Sequence, residues 1–276
     1  MRPATDPARP ALHLAKAHAY GNDFLYVPAD DARGCDEAAL ARVLCERHTG
    51  AGADGLILFS PTPDGARMRL FNADGSPSEV SGNGVRGLAA LVVRSRRRAG
   101  MPVPAPVVID TDAGAKQLHL VAEDGTRLTF RAAMGQPEAI ERRTIEDGGE
   151  TLAVVVLRVG NPQCVVLEPR LDEARYRRLG PLLERHETFP AGTNVEFACV
   201  ERPDRVRILI WERGVGPTLA SGTGACAAAV AAAACGGGAR SADVMSPGGV
   251  QRVDWLDSGL VLTGWAEVVW EGQWLR

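Results

Sequence analysis

Short apolar runs, alternating or continuous and separated by glycine-rich turns, make up most of this chain. Leu12–Ala17 alternates apolar and polar positions and predicts a strand. Further strands are expected at Leu25–Val27, Leu56–Phe59, Met68–Phe71, Val107–Asp110, Lys116–Val121 and Thr126–Arg131, with Glu123-Asp124-Gly125 as a hairpin turn. The same texture continues at Thr151–Val159, Cys164–Leu167, Val195–Val200 and Arg205–Trp211, and two terminal strands follow at Gly249–Trp255 and Leu260–Trp270. Helical spacing marks Asp36–His48 and Leu171–Glu184. Two other helices differ from these. Leu88–Val93 and Ala227–Ala234 carry almost no polar surface, and the second is nearly pure alanine. The alanine helix is stable only if something wraps it closely, so it reads as a central helix buried in a sheet.

Both apolar helices are entered by the same short phrase. Ser81-Gly82-Asn83-Gly84 opens the first, and Ser221-Gly222-Thr223-Gly224 opens the second, 140 residues later. Gly21-Asn22 matches Gly160-Asn161 at an offset of 139, and Asp54 matches Asn194 at 140. Asn72 matches Glu212 at 140, each nine residues before its serine. Polar landmarks in one order at one offset indicate a duplicated unit. A helix start of this kind leaves backbone N–H groups unpaired, and the helix dipole adds positive potential there. Two such halves facing each other would aim two helix N-termini at one small acidic group, most simply a carboxylate. A buried alanine helix with a flexible entry is the plainer alternative for either phrase taken alone.

Composition narrows the class. A net charge of −3 gives no support to nucleic-acid binding. Arginine carries nearly all the positive charge, since the only lysines are Lys16 and Lys116. The run Arg94-Ser95-Arg96-Arg97-Arg98 suits the last turn of the first apolar helix, where cations complement the dipole. The six cysteines form no CxxC pair and no zinc-like spacing with histidine. No phosphate-binding loop, metal motif, membrane-length apolar segment or signal-peptide pattern is found, so a cytoplasmic protein with reduced thiols is expected. Residues 1–10 hold three prolines and are expected to be a disordered lead-in.

A resemblance now rests on specific residues. Gly21-Asn22-Asp23-Phe24, Arg47-His48-Thr49-Gly50, Phe71-Asn72-Ala73-Asp74-Gly75-Ser76, Gly82-Asn83-Gly84, Gly160-Asn161-Pro162, Asn194-Val195, Glu212-Arg213-Gly214 and Gly222-Thr223-Gly224-Ala225-Cys226 resemble the diaminopimelate epimerases. The resemblance runs from about Leu12 to the C-terminus. It implies an α/β (α+β) fold of two pseudo-symmetric domains, each a curved mixed or antiparallel sheet around a central helix. The halves are expected at 11–131 and 132–264, with the last strand, about 265–276, crossing back to the first. The family implies an isomerase without cofactor, metal or pyridoxal phosphate, cytoplasmic and often dimeric, serving lysine and cell-wall synthesis. By motif match, Asn22, Asn72, Asn161, Asn194, Glu212 and Arg213 would hold an amino-acid substrate. Backbone amides at Gly82-Asn83 and Gly222-Thr223 would bind its α-carboxylate.

The departures fall on the chemistry. The family places a cysteine before each Gly-x-Gly, one thiolate taking the α-proton and one thiol returning a proton. Both positions are serine here, Ser81 and Ser221, and a histidine position is Gln163. A cysteine at a helix N-terminus is partly ionised near neutrality, whereas a serine hydroxyl needs a positioned base. Three readings stay open: an epimerase with impaired activity, a non-catalytic amino-acid-binding homologue, or an isomerase using Glu212 or Asp54 as acid and base.

Overall fold

The computed structural model describes residues 11–147 and 149–275. Its described residues pack as two compact units. The first holds the chain up to Ala19, then Asp23–Leu128 and the residues from Ala266 onward; the second holds Tyr20–Asn22 and Thr129–Trp265. The lead-in expected at residues 1–10 lies outside the described residues.

The chain opens with β1 (Leu12–Ala19), β2 (Asn22–Pro28), α1 (Glu37–Cys45), β3 (Gly55–Thr62), β4 (Gly65–Asn72) and the two-residue β5 (Pro77–Ser78). α2 (Gly82–Arg98), β6 (Val107–Thr111), β7 (Gly114–Asp124) and β8 (Arg127–Gly135) follow. Next come β9 (Glu138–Asp147), β10 (Glu150–Val159), β11 (Asn161–Leu167), α3 (Glu173–Glu184), β12 (Asn194–Arg202), β13 (Arg205–Glu212) and the short β14 (Gly216–Thr218). α4 (Gly222–Cys235), β15 (Ser241–Ser246), β16 (Gly249–Leu256) and β17 (Gly259–Trp274) complete the chain.

The same wiring occurs in each unit. In the first, β2 runs parallel to β3 through the crossover helix α1, β3 pairs antiparallel with β4, and β4 runs parallel to β6 through α2. In the second, β11 runs parallel to β12 through α3, β12 pairs antiparallel with β13, and β13 runs parallel to β15 through α4. β17 serves both units in turn. Its start pairs with β16, and its end pairs antiparallel with β1, Leu12 opposite Trp274, across a bulge at Lys16/Ala17.

The two apolar helices form the centres of their units. α4 is buried at Gly222 and from Gly224 to Ala232, and it touches β10, β11, β12, β13, β15 and β16. Alanine is the residue that lets strands approach on all sides, since each side chain adds only one methyl. α2 is buried from Asn83 to Val93 and packs on β1, β4, β6 and β7. Its arginine-rich end emerges from the unit, where Arg98 meets Glu271 at 2.6 Å and Arg97 pairs with Glu123.

Several expectations need correction. Both serine-led helices begin at their glycines: Gly82 and Gly222 are the first helical residues, and the serines are the N-caps. The serine at the cap supplies an acceptor for the orphan amides, which lets helix geometry start at once. α1 stops at Cys45 rather than His48, because Glu46 turns back and accepts from the His48 amide at 2.7 Å. Besides the very short β5 and β14, two full strands, β9 and β15, occupy residues read only as connections. Of β9, Ile145 alone is buried, so its sequence carries no alternation, and pairing with β10 holds it.

Candidate active site

Ser81 caps α2. Its Oγ accepts from the Gly84 amide at 3.2 Å, and its carbonyl accepts from Val85 at 2.8 Å. The turn rests on an apolar floor: a Cβ built on Gly84 would lie 2.8 Å from Ile57 Cδ1 and 3.7 Å from Phe24 Cδ2. Tyr26, fully buried, donates from Oη to the Gly84 carbonyl at 2.9 Å and so fixes the height of the first turn. That contact requires glycine at 87, where a Cβ would fall 2.1 Å from Tyr26 Oη. Asn83 is buried, and its Oδ1 accepts from Arg86 at 3.2 Å.

Ser221 caps α4 in the same way, with Gly224 donating to its Oγ at 3.2 Å and Ala225 to its carbonyl at 3.1 Å. The floor beneath it is polar. A Cβ on Gly224 would lie 2.6 Å from Oε1 of Glu196, a fully buried residue. Gln163 is also fully buried, with its amide between Glu196, Thr223 and Asn161. Thr223 Oγ1 stands 3.4 Å from Ser221 Oγ. Burial drives the Glu196 carboxyl well above the ordinary carboxylate range, and the Glu212 charge nearby adds to the effect.

The remaining candidates take different parts. Asn161 accepts from Gln163 at 2.6 Å. Asn194 is a brace: its Nδ2 donates to the Pro162 carbonyl at 3.2 Å, and its Oδ1 accepts from the Arg213 amide at 3.0 Å. Arg213 is exposed and its guanidinium donates to the Ala191 carbonyl at 3.2 Å. Glu212 ends β13 half-buried, and Asn22 begins β2 half-buried. Asn72 closes its own turn, donating to Ser76 Oγ at 2.9 Å. Asp54 accepts from Arg47 at 2.8 Å and from the Asp23 amide at 3.0 Å, so both of its oxygens are engaged within its own unit. Asp23 is raised by burial, but hydrogen bonds from Arg47 and Lys16 outweigh this and hold it below its ordinary value.

Two carboxylates packed against the candidate site were not picked out from the sequence. Glu184 of α3 accepts from Trp211 Nε1 and the Gly214 amide, both at 2.8 Å, and thereby pins the turn that carries Glu212 and Arg213. Glu196 carried a signal: it is a lone carboxylate in the strand run Asn194-Val195-Glu196-Phe197-Ala198, on the alternation that places Ala198 in the core around α4. Among the described residues no group of three His, Cys, Asp or Glu is placed to hold a metal ion, and no helix is long and apolar enough to cross a membrane.

Known proteins are similar to this chain along almost its whole length. The family model described as diaminopimelate epimerase matches residues 14–140 and 155–269. The diaminopimelate epimerase of Desulforudis audaxviator is 42% identical over 283 residues, covering 96% of this chain and 100% of that protein. That of Synechocystis is 39% identical, covering 95% and 99%. Among solved structures, a phenazine biosynthesis protein of Bacillus anthracis superposes with a TM-score of 0.69 at 16% identity, covering 97% and 100%. A hydroxyproline epimerase of Agrobacterium vitis gives 0.66 at 19%, covering 95% and 90%. The solved structures share the fold; the full-length identities carry the assignment. Two capped central helices in units of matching wiring, and full-length relatives of one name, place this chain in the diaminopimelate epimerase family.

Proposed function

We propose that this enzyme, an isomerase of the epimerase family, inverts the α-carbon of diaminopimelate without a cofactor, interconverting the LL and meso forms. Ser81 and Ser221 stand in the acid and base positions, and turnover is slow in consequence. The observation that supports this is the pair of serine caps at the N-termini of the two central helices, α2 and α4. The first-turn amides at Gly82-Asn83 and at Gly222-Thr223 are each suited to a substrate carboxylate, since helix dipoles favour a negative charge there. Arg213 suits the distal carboxylate. The same reading makes the protein a cytoplasmic homodimer that supplies lysine and cell-wall precursors.

Slow chemistry follows from acidity. Removal of an α-proton needs a base whose pKa approaches the working pH, and a missing acid or base group costs about 10²–10⁴-fold. Each serine Oγ already accepts a helix amide, a geometry that would favour a thiolate in its place. Asp54 is an unsuited substitute, because Arg47 and the Asp23 amide occupy it.

The test is α-proton exchange of LL- and meso-diaminopimelate in deuterated water, followed by NMR. Slow exchange is expected from the serine form and at least about 10²-fold faster exchange from the Ser81→Cys/Ser221→Cys form. Robust exchange that survives Ser81→Ala and Ser221→Ala would refute the assignment, and its loss in Glu212→Gln would move the reading to a carboxylate-based isomerase. Tight binding without exchange in either form would make the chain an amino-acid-binding homologue.

A further inference from the structure

The two serine caps are built alike but stand on unlike floors. Under Ser81 the α2 turn meets Ile57 and Phe24, and under Ser221 the α4 turn meets Glu196 and Gln163. The register makes the comparison direct: Ile57 pairs with Tyr26 across β3 and β2, and Glu196 pairs with Val165 across β12 and β11. A buried carboxyl has therefore been placed under one cap only.

The Gln163 amide satisfies its surroundings in two orientations. In one, its oxygen faces Glu196 Oε1 at 3.0 Å, and its nitrogen donates to Asn161 Oδ1 at 2.6 Å and faces Thr223 Oγ1 at 3.3 Å. This orientation needs a proton on Glu196, which then donates to the amide oxygen. In the other, the nitrogen donates to an ionised Glu196, and the oxygen accepts from Thr223 Oγ1, with the Asn161 amide turned to match. The hydroxyls follow. When Gln163 donates to Thr223, the Thr223 O–H is released to donate to Ser221 Oγ, 3.4 Å away, and the Ser221 proton points outward. When Gln163 accepts from Thr223, the Thr223 oxygen accepts from Ser221, and Ser221 presents a lone pair.

We propose that Glu196 is a positioning residue whose protonation state, relayed by Gln163 and Thr223, sets whether Ser221 offers a proton or a lone pair to its ligand. The proposal rests on the epimerase reading above and adds a division of labour to it. With Glu196 protonated, Ser221 is the proton-returning side. The titratable groups facing Glu196 are Glu212 at the end of β13, which adds to the rise that burial causes, and Cys164 on β11, whose thiol is raised by burial first and by Glu196 second. α4 contributes only Cys226 and Cys235 as titratable groups.

The experiment has two arms on the whole protein. Infrared difference spectra of wild type against Glu196→Gln should show a protonated carboxyl C=O band at pH 7 that Thr223→Val shifts. In the second arm, diaminopimelate α-proton exchange is followed across pH 5–9. The ratio of the Glu196→Gln rate to the wild-type rate should rise tenfold or more with pH, with KM little changed. The same ratio measured in a Thr223→Val background should stay flat, an outcome that a merely structural Glu196 would not produce. Absence of the carboxyl band at pH 7, or a ratio independent of pH in the wild-type background, would overturn the proposal. If no form exchanges, the turnover reading is what fails. The infrared arm then decides alone: a band shifted by Thr223→Val upholds the relay, and an unshifted or missing band ends it.

Discussion

Glu196→Gln should make the protein more stable, by an amount that grows with pH. Glu196 is fully buried, so solvent screening does not discount its ionisation. Its folded pKa lies above the ordinary value of 4.5, so the folded protein holds a proton that the unfolded chain releases once the pH exceeds that value. Stability from this group is complete at acid pH and is lost with rising pH until the folded carboxyl itself ionises. One proton corresponds to about 1.4 kcal/mol per pH unit. Glutamine has the same shape, makes the same kind of hydrogen bonds and takes up no proton. The quantity to measure is the unfolding free energy from urea titration, variant minus wild type, at pH 5, 6, 7 and 8. The subtraction cancels Asp23, whose depressed pKa acts with the opposite sign and only in the acid range. The difference should climb by about 1.4 kcal/mol per unit from pH 5 and level off only where the folded acid ionises. A difference that stays constant from pH 5 to pH 8 would show that Glu196 is ionised in the folded protein, and the reasoning would be wrong.

Two further outcomes bear on other parts of the molecule. Arg213→Ala should weaken meso-diaminopimelate binding by about 10-fold or more, the worth of a charged hydrogen bond, while alanine binding changes little; equal losses in calorimetry would contradict a distal role. Gly87→Ala should lower stability by about 2–4 kcal/mol, because overpacking against Tyr26 and strain on its bond to Gly84 outweigh a helix-propensity gain of about 1 kcal/mol; a thermal melt unchanged from wild type would refute the close approach.

What could be read in the chain followed from local regularity. The strands flanking each serine phrase alternate or are continuously apolar, and α4 could only be a buried helix, since Ala227–Ala234 has nothing to show to water. β9 was not legible because Glu138–Asp147 is mostly charged, exposed and without alternation, so that its partner, not its pattern, defines it. β15 was not legible because Ser241–Ser246 has only Ala242 and Val244 buried and follows a glycine run. The serine phrases were legible as helix entries but not as caps, because the first turn holds glycines, which local propensity disfavours. Asp54 looked like a spare carboxylate because its partner Arg47 stands earlier in the same irregular loop between α1 and β3, and ion pairing within such a loop leaves no mark on spacing. Glu196 was passed over because a single acidic residue in a strand is ordinarily a solvent-facing one, and only the packing of α4 shows which face it occupies.

The course of β17 has a consequence for the order of folding. Leu12–His18 of β1 pairs with Glu267–Trp274 of β17, so this ladder of the first unit joins segments far apart in the chain. Closing a loop of that size costs chain entropy before the new contacts repay it. The second unit, drawn chiefly from Thr129–Trp265, needs no such closure. Until β17 docks, β1 lacks its neighbour on that side, and Leu12 and Leu14, both buried in the finished protein, are less covered. The first unit therefore completes its sheet late, and a chain caught before that step is the one open to misassociation.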